Sequence, residues 1–155
     1  MTTSELLSQL LQEARRSNCD KIRFGAAVLN RSDEILALGH NHNPASIGGW
    51  SCATQCVGDI RKGVKSGTCV ERCFSIHAEQ HALIQVSPDL AYEVAVAGLL
   101  PDGSLFDNGG GFYCTVCVRI MRAAGVRFVT IWSKGESRRL TIAEAWDQSY
   151  SIATA

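Results

Sequence analysis

Residues 112–132 read FYCTVCVRIMRAAGVRFVTIW, and they decide which class of fold the chain adopts. Two cysteines three positions apart open a helical stretch that runs to about Ala124, where Gly125 is a typical stop signal. The apolar and β-branched residues from Val126 to Trp132 then predict a buried strand. A helix that passes directly into a buried strand is typical of α/β proteins.

The remainder of the chain continues this alternation of helices and strands. Leucines at helical spacing behind a Thr2–Glu5 capping box predict a first helix that ends near Ser17. The whole pattern favours a three-layer α/β/α sandwich around a mixed sheet. The other predicted elements are a hairpin of strands 24–29 and 35–39, a helix over 78–86, a strand over 92–100, and a last helix capped by Thr141 and Glu144.

Length and composition restrict the classes of protein to consider. The 155 residues suit one domain, 1–155, with a Cys-rich insertion at about 41–76, and 46% hydrophobic residues are enough for a core. No apolar run approaches the ~20 residues of a membrane span, and no leader peptide is recognisable, so a cytoplasmic protein without membrane contact is expected. The 15 basic and 15 acidic residues balance, which disfavours nucleic acid and favours a small-molecule partner.

Two short motifs supply a set of metal ligands. His77-Ala78-Glu79 precedes one predicted helix, and Cys114-Thr115-Val116-Cys117 opens another. Residues three apart on a helix share a face, so Cys114 and Cys117 can bind one ion together with His77. Three ligands leave the fourth tetrahedral position open, which is typical of catalytic zinc. The alternatives for the cysteine pair alone are half of a structural zinc knuckle or a redox pair.

Glu79 is the candidate catalytic residue. Side chains in the first turn of a helix lean toward its N-terminus, so Glu79 can approach the ion that His77 binds. A carboxylate in that position can take a proton from metal-activated water and pass protons to a substrate. A purely structural metal site has no need of this carboxylate.

Three stretches resemble the zinc-dependent cytidine/deoxycytidylate deaminase superfamily, and above all the deoxycytidylate deaminases. They are the run from Cys69 to Leu83, which contains His-Ala-Glu, the first strand Phe24-Gly25-Ala26-Ala27-Val28, and the loop Gly39-His40-Asn41. The resemblance covers roughly residues 20–135. It implies a five-stranded sheet flanked by helices, a homo-oligomer, and a nucleotide, nucleoside or base as the small-molecule partner.

The resemblance also suggests which residues contact the substrate. Asn41 matches the Gly-x-Asn substrate loop, although a turn asparagine is the alternative. Tyr113 stands where the family usually has proline, and an aromatic ring there can stack on a base. His81 replaces the usual asparagine and is similar to the pyrimidine deaminases of riboflavin biosynthesis. Phe24 and Ala78 complete the candidate substrate contacts.

Four further cysteines form two pairs of equal spacing in the insertion. Cys52, Cys56, Cys69 and Cys73 suit a tetrahedral structural zinc, in addition to the catalytic one. Some deoxycytidylate deaminases resemble this chain in carrying such a second zinc. The alternatives are free cysteines, a disulfide, or a site in which His40 or His42 replaces one thiolate.

The resulting hypothesis is hydrolytic deamination of a cytosine-type nucleotide, deoxycytidylate first, in which zinc-activated water attacks the amine-bearing carbon and ammonia leaves. One alternative keeps the reaction but changes the substrate to another aminated base, nucleoside or heterocycle, or to a base in nucleic acid. The second alternative is a zinc-stabilised binding module without catalysis.

Overall fold

The structure of the protein is a computed structural model that describes residues 1–43 and 75–153. None of the helices in these two ranges has the length and apolar character that crossing a bilayer requires. In chain order the elements are α1 (Thr3–Ala14), β1 (Arg23–Leu29), β2 (Ile35–His40), α2 (Ala78–Leu83), a 3₁₀ turn (Pro88–Leu90), β3 (Glu93–Leu99), α3 (Thr115–Ala123), β4 (Phe128–Ser133), β5 (Glu136–Thr141) and α4 (Ile142–Ala153).

The five strands form one mixed sheet in the order β2-β1-β3-β4-β5. Only β3 and β4 run parallel, and the other three pairs are antiparallel. In the centre of the sheet, Ala27 of β1 pairs with Leu38 of β2 on one side and with Ala95 of β3 on the other. β2 is therefore an edge strand, and its outer backbone groups need partners from outside the sheet.

Helices cover both faces of the sheet, as the predicted sandwich requires. α1 packs on one face, where Leu6 and Leu10 meet Ala27, Ala95 and other small or branched side chains. α2, α3 and α4 pack on the opposite face. The members of that second core include Ala26, Val28, Ala78, Ala82, Val94, Val96, Cys117, Val118, Met121, Val129, Ile131 and Ala145.

The predicted helix starts are confirmed by their capping hydrogen bonds. At the first helix, the Glu5 N–H donates to Thr2 Oγ1 and the Thr2 N–H donates to Glu5 Oε2. Thr141 and Glu144 form the same reciprocal pair at the start of α4. These local signals fix where each helix begins, because they satisfy N–H groups that have no partner within the helix.

The bounds of several elements differ from the sequence prediction, and one strand was not predicted. The helix predicted over 78–86 ends at Leu83, and the strand predicted from Val126 begins at Phe128. The strand β5 was not located from the sequence, because four of its first five residues are exposed and only Leu140 is buried. Most of the predicted Cys-rich insertion, residues 44–74, lies outside the described residues.

One glycine lets α2 approach the sheet closely. A Cβ atom on Gly39 would lie 2.4 Å from the backbone N of Ala82 and 2.6 Å from the carbonyl oxygen of Ala78. Any other residue there would push the helix away from β2. Gly39 therefore fixes the position of the helix whose first turn carries Glu79.

Candidate metal centre and substrate cavity

The two predicted ligand motifs lie at the starts of α2 and α3, on the same face of the sheet. His77 is the residue that precedes α2, and its N–H donates to Gln80 Oε1 at 2.9 Å. Cys114 precedes α3, and its Sγ accepts the N–H of Cys117 at 3.2 Å. Each start is therefore held by a local hydrogen bond that orients the first turn toward the other helix.

The structure brings the three predicted ligand atoms together. His77 Nδ1 lies 3.2 Å from Cys114 Sγ and 3.1 Å from Cys117 Sγ, and the two sulfurs are 2.7 Å apart. One imidazole nitrogen and two sulfurs within reach of a single ion form a donor set that zinc prefers. The residues present therefore fit zinc, with one coordination position left for water or substrate.

The three ligand side chains strongly shift one another's pKa values. A hydrogen bond from the Cys117 side chain, reinforced by His77, lowers the pKa of Cys114 to about 5. Burial alone would lower the pKa of His77, but the hydrogen bond and charge of Cys114 outweigh burial and raise it to about 9. Burial raises the pKa of Cys117 well above its ordinary value. A metal ion must displace the remaining protons, so its binding depends on pH.

Glu79 is buried beside the ligands. Only 7% of its surface is exposed, and it contacts the Cys117 side chain. Burial, reinforced by the charge of Cys114, raises the pKa of Glu79 to about 7. A carboxyl group with such a pKa can both accept and donate a proton near neutral pH, which is what a shuttle requires.

A cavity of about 280 Å³ opens next to these groups. Four of the five predicted substrate contacts, Phe24, Asn41, Ala78 and Tyr113, line it together with Glu79. Five further residues of its wall were not predicted from the sequence: Ile22, Ser75, Val96, Phe106 and Phe112. Cys19 and Asn108 also line the cavity.

His81 lies elsewhere. It is not among the described residues that line the cavity, and its ring packs against the rings of His40 and His42 at centroid distances of 4.9 and 4.6 Å. His81 belongs to the same helix as Glu79, two positions further on, so it points past the edge of β2 rather than into the cavity.

Asn41 is buried and engaged by the neighbouring strand. Its Oδ1 accepts the Phe24 N–H at 2.7 Å, and its Nδ2 donates to the Ile22 carbonyl at 2.9 Å. These bonds hold the amide in a fixed orientation at the cavity wall. The Oδ1 atom can accept one more hydrogen bond, and the Nδ2 group can donate one more.

The side-chain amide nitrogen of Asn108, unlike that of Asn41, lacks a hydrogen-bond partner among the described residues. This Nδ2 atom is also buried. A buried donor without an acceptor costs about 1–3 kcal/mol, so native proteins rarely keep one without a use. The sequence offers no signal for it, because an asparagine before three glycines is also what an ordinary turn contains.

The aromatic side chains shape the rest of the wall. Phe24 and Phe106 meet edge to face with centroids 5.5 Å apart. The Tyr113 ring lies over Gly111, where a Cβ atom would come within 2.4 Å of the tyrosine oxygen. The glycine at 111 is therefore what permits the aromatic residue at 113 to occupy this position.

Residues 1–132 match the family described as the cytidine and deoxycytidylate deaminase zinc-binding region. No curated protein sequence matches the chain.

Among solved structures, a mutant cytidine deaminase from Mycobacterium tuberculosis is similar over 90% of this chain and 91% of its own, at 17% identity and a TM-score of 0.52. Cytidine deaminase from Mycobacterium leprae covers 92% and 96% at 13% identity and a TM-score of 0.51. The deoxycytidylate (dCMP) deaminase of cyanophage S-TIM5 covers 86% of each chain at 21% identity, with a TM-score of 0.48. The two mycobacterial structures share the fold of this chain.

Proposed function

We propose that this chain, which belongs to the cytidine and deoxycytidylate deaminase family and is a zinc-dependent hydrolytic deaminase, acts on a cytosine-type nucleotide, with deoxycytidylate as the first candidate. The observation that carries the proposal is the position of Glu79, buried beside a His-Cys-Cys ligand set at the wall of an aromatic cavity. The ligand set would hold a zinc ion able to activate water, and Glu79 would carry protons to a flat ring.

In this proposal His77, Cys114 and Cys117 hold the zinc ion. Zinc bound there would lower the pKa of a water molecule to near ~7 and so provide the nucleophile. The three side chains occupy the starts of two helices that pack on the same face of the sheet, so the ligand set is rigid before substrate arrives.

Glu79 moves the protons. It accepts one proton from the attacking water and delivers it to the ring nitrogen next to the amine-bearing carbon. The second proton of the water, which remains on the new hydroxyl group, passes through the carboxylate to the departing amine. One C–O bond forms and one C–N bond breaks, so a cytosine ring and water give a uracil ring and ammonia.

The cavity wall supports a pyrimidine as the ring. A volume of about 280 Å³ is at the small end of ligand cavities and has room for a single nucleobase. The C2 carbonyl oxygen of cytosine is an acceptor, and the buried Asn108 Nδ2 is a donor without a partner among the described residues. Phe24, Phe106 and Tyr113 supply apolar surface for the ring faces and edges.

A nucleoside is the second candidate. The described residues that line the cavity include no lysine or arginine to bind a phosphate. The basic residues Arg61, Lys62, Lys65 and Arg72 lie in the part of the chain outside the description. Measured preference for a nucleotide over its nucleoside decides between the two candidates.

Three other expectations from the sequence remain proposals: a cytoplasmic location, a homo-oligomeric assembly and a second zinc ion. The first two are consistent with the family. A second, structural zinc at Cys52, Cys56, Cys69 and Cys73 is supported by their spacing alone, because these residues lie outside the described ranges.

The test is a substrate panel followed by ammonia release. Zinc-loaded enzyme is incubated with deoxycytidylate, cytidylate, deoxycytidine, cytidine and cytosine, and with adenine and guanine nucleotides as controls. We expect deoxycytidylate to be the best substrate and the purine compounds to be inert. Inert cytosine compounds together with a reactive purine would overturn the substrate class, while the family assignment would stand.

A further inference from the structure

A second group of potential metal ligands lies at the outer edge of β2. The rings of His40, His42 and His81 are mutually adjacent, with centroids 4.6–4.9 Å apart. One ring nitrogen from each lies within 4.8 Å of the others. Among the described residues, two groups of side chains have ligand atoms this close together. They are this cluster and the group of His77, Cys114 and Cys117, which we call the His77 centre.

The pleat of the strand separates this cluster from the substrate cavity. Successive side chains at the end of β2 point to opposite sides. Asn41 therefore faces the cavity, while His40 and His42 on either side of it face away. His81 reaches them from α2, one turn beyond His77, because its N–H donates to the His77 carbonyl at 2.9 Å.

Two of the three rings are already oriented as metal ligands usually are. His40 Nδ1 lies 2.7 Å from Oε1 of Glu13, a buried carboxylate of α1. His42 Nδ1 lies 2.9 Å from the carbonyl oxygen of His40. Histidine ligands commonly donate one ring N–H to a carboxylate or a backbone carbonyl and bind the ion through the other nitrogen. In the neutral form of both rings, Nδ1 thus carries the proton and Nε2 has a lone pair that can bind an ion.

We propose that His40, His42 and His81 bind one divalent transition-metal ion of the zinc class, at a site distinct from the centre formed by His77, Cys114 and Cys117. Imidazole nitrogens favour zinc, copper, iron and nickel over calcium or magnesium, which require oxygen ligands. The ion would connect α1, through Glu13, with the end of β2 and with α2. It would thereby hold the backbone on both sides of Asn41.

His81 must change its hydrogen bonding to take part. Its Nδ1 accepts the His40 N–H at 3.1 Å, so in the neutral ring the proton is on Nε2. On metal binding through Nε2 this proton moves to Nδ1, and the bond from His40 is given up. Loss of one neutral hydrogen bond is small compared with the gain of a metal ligand.

A role in hydrogen bonding to the open edge of β2 explains only part of the cluster. His81 Nδ1 and Gln85 Nε2 satisfy the His40 N–H and the Leu38 carbonyl on the open side of β2. That role requires an acceptor at 81 and a donor at 85. It does not require histidines at 40 and 42 or a buried carboxylate behind His40, which metal binding does explain.

The first measurement uses the enzyme already loaded with zinc at the His77 centre. Zinc is titrated in, and the ring nitrogens of all four histidines are followed by nitrogen-15 NMR together with zinc content per chain. We expect the signals of His40, His42 and His81 to shift together, with His81 changing from the Nε2–H to the Nδ1–H tautomer. Unshifted signals in these three rings would refute the site without any variant.

Variants assign the additional ion. His42→Gln should lose one equivalent of zinc, and Glu13→Gln should weaken its binding about 10–100-fold. Two control variants should keep the ion. Gln85→Leu removes a hydrogen bond to the edge of β2 but no metal ligand. The double variant Cys52→Ser/Cys69→Ser removes two thiols of the insertion but none of the three histidines. If His42→Gln binds as much zinc as the parent protein, the proposal is wrong. Zinc content at the His77 centre and ammonia release are measured in parallel, which separates this result from failure of the proposed function.

Discussion

The backbone N–H of Phe112 donates a hydrogen bond of 2.9 Å to Gln148 Oε1. Phe112 lies in the loop before the first cysteine ligand and lines the cavity, whereas Gln148 belongs to α4 at the end of the described chain. The C-terminal helix thus holds the loop that forms one cavity wall. Its packing is reinforced by Trp146, which stacks on Tyr150 and lies under the Arg122 guanidinium.

Replacing Gln148 should therefore impair catalysis more than folding. In Gln148→Leu the Phe112 N–H loses its acceptor, and we expect kcat/KM to fall about tenfold or more because the wall shifts relative to the metal centre. The free energy of unfolding should fall by only about 1 kcal/mol. Steady-state kinetics and urea unfolding measure the two effects. The neighbouring Asp147→Asn, an exposed change on the same helix, should alter neither.

Glu79→Gln tests the proton carrier. The amide keeps the size of the side chain but cannot accept a proton, so turnover should fall about 10²–10⁴-fold. Zinc content should stay at the parental level, since Glu79 is not one of the three ligands. The control is Glu136→Gln on exposed β5, which should retain full activity. Undiminished turnover in the Glu79 variant would contradict the mechanism.

Asn108 and Asn41 should respond oppositely to the same substitution. Asn108→Leu removes a buried donor without a partner, so the free energy of unfolding should not decrease and can rise by about 1–3 kcal/mol. Asn41→Leu breaks two hydrogen bonds to β1 and its flank, and should lower stability by about 1–3 kcal/mol.

The kinetic expectation for Asn108→Leu is a raised KM. If its amide binds the C2 carbonyl oxygen of the base, KM for deoxycytidylate should increase at least several-fold while the zinc content is unchanged. A variant that loses stability but keeps its KM would show that Asn108 has a structural role only. Thermal unfolding and ammonia release on the same preparation decide between these results.

Gly39→Ala should disturb the site through the backbone. A Cβ at 39 overlaps the backbone of α2, and overpacking of this kind costs about 1–3 kcal/mol. Because α2 carries Glu79 and begins at His77, we also expect lower activity per folded molecule. Gly25→Ala is the matched control, since its Cβ meets the Leu10 carbonyl at 1.9 Å on the other face of the sheet. That variant should lose stability but keep its activity per folded molecule.

Sequence patterns predicted the parts of this protein that depend on local spacing. His77, Glu79 and the two cysteines are candidates from the sequence because each motif precedes a predicted helix, and both motifs do lie at helix starts. The capping boxes were identified for the same reason, since their partners are three residues apart. By contrast, β5 shows neither apolar character nor alternation, and it forms because β4 offers it a pairing edge.

Features that depend on contacts between residues far apart in the sequence could not be predicted from it. The unpaired amide of Asn108 results from how its loop packs, which no neighbouring residue indicates. The histidine cluster joins position 81 to positions 40 and 42, and only the contact between α2 and the end of β2 brings them together. A strained or orphaned polar group is often the mark of a functional residue, but it is visible only in three dimensions.

The alternation His40-Asn41-His42 has a consequence for the evolution of the chain. A shift of β2 by one residue against β1 would turn Asn41 outward and bring a histidine to the cavity wall. A single insertion or deletion in the turn at residues 30–34 is the simplest way to cause such a shift. Families of this enzyme should therefore tolerate substitutions in that turn but keep its length constant, because one change in length would alter the substrate wall and the histidine cluster together.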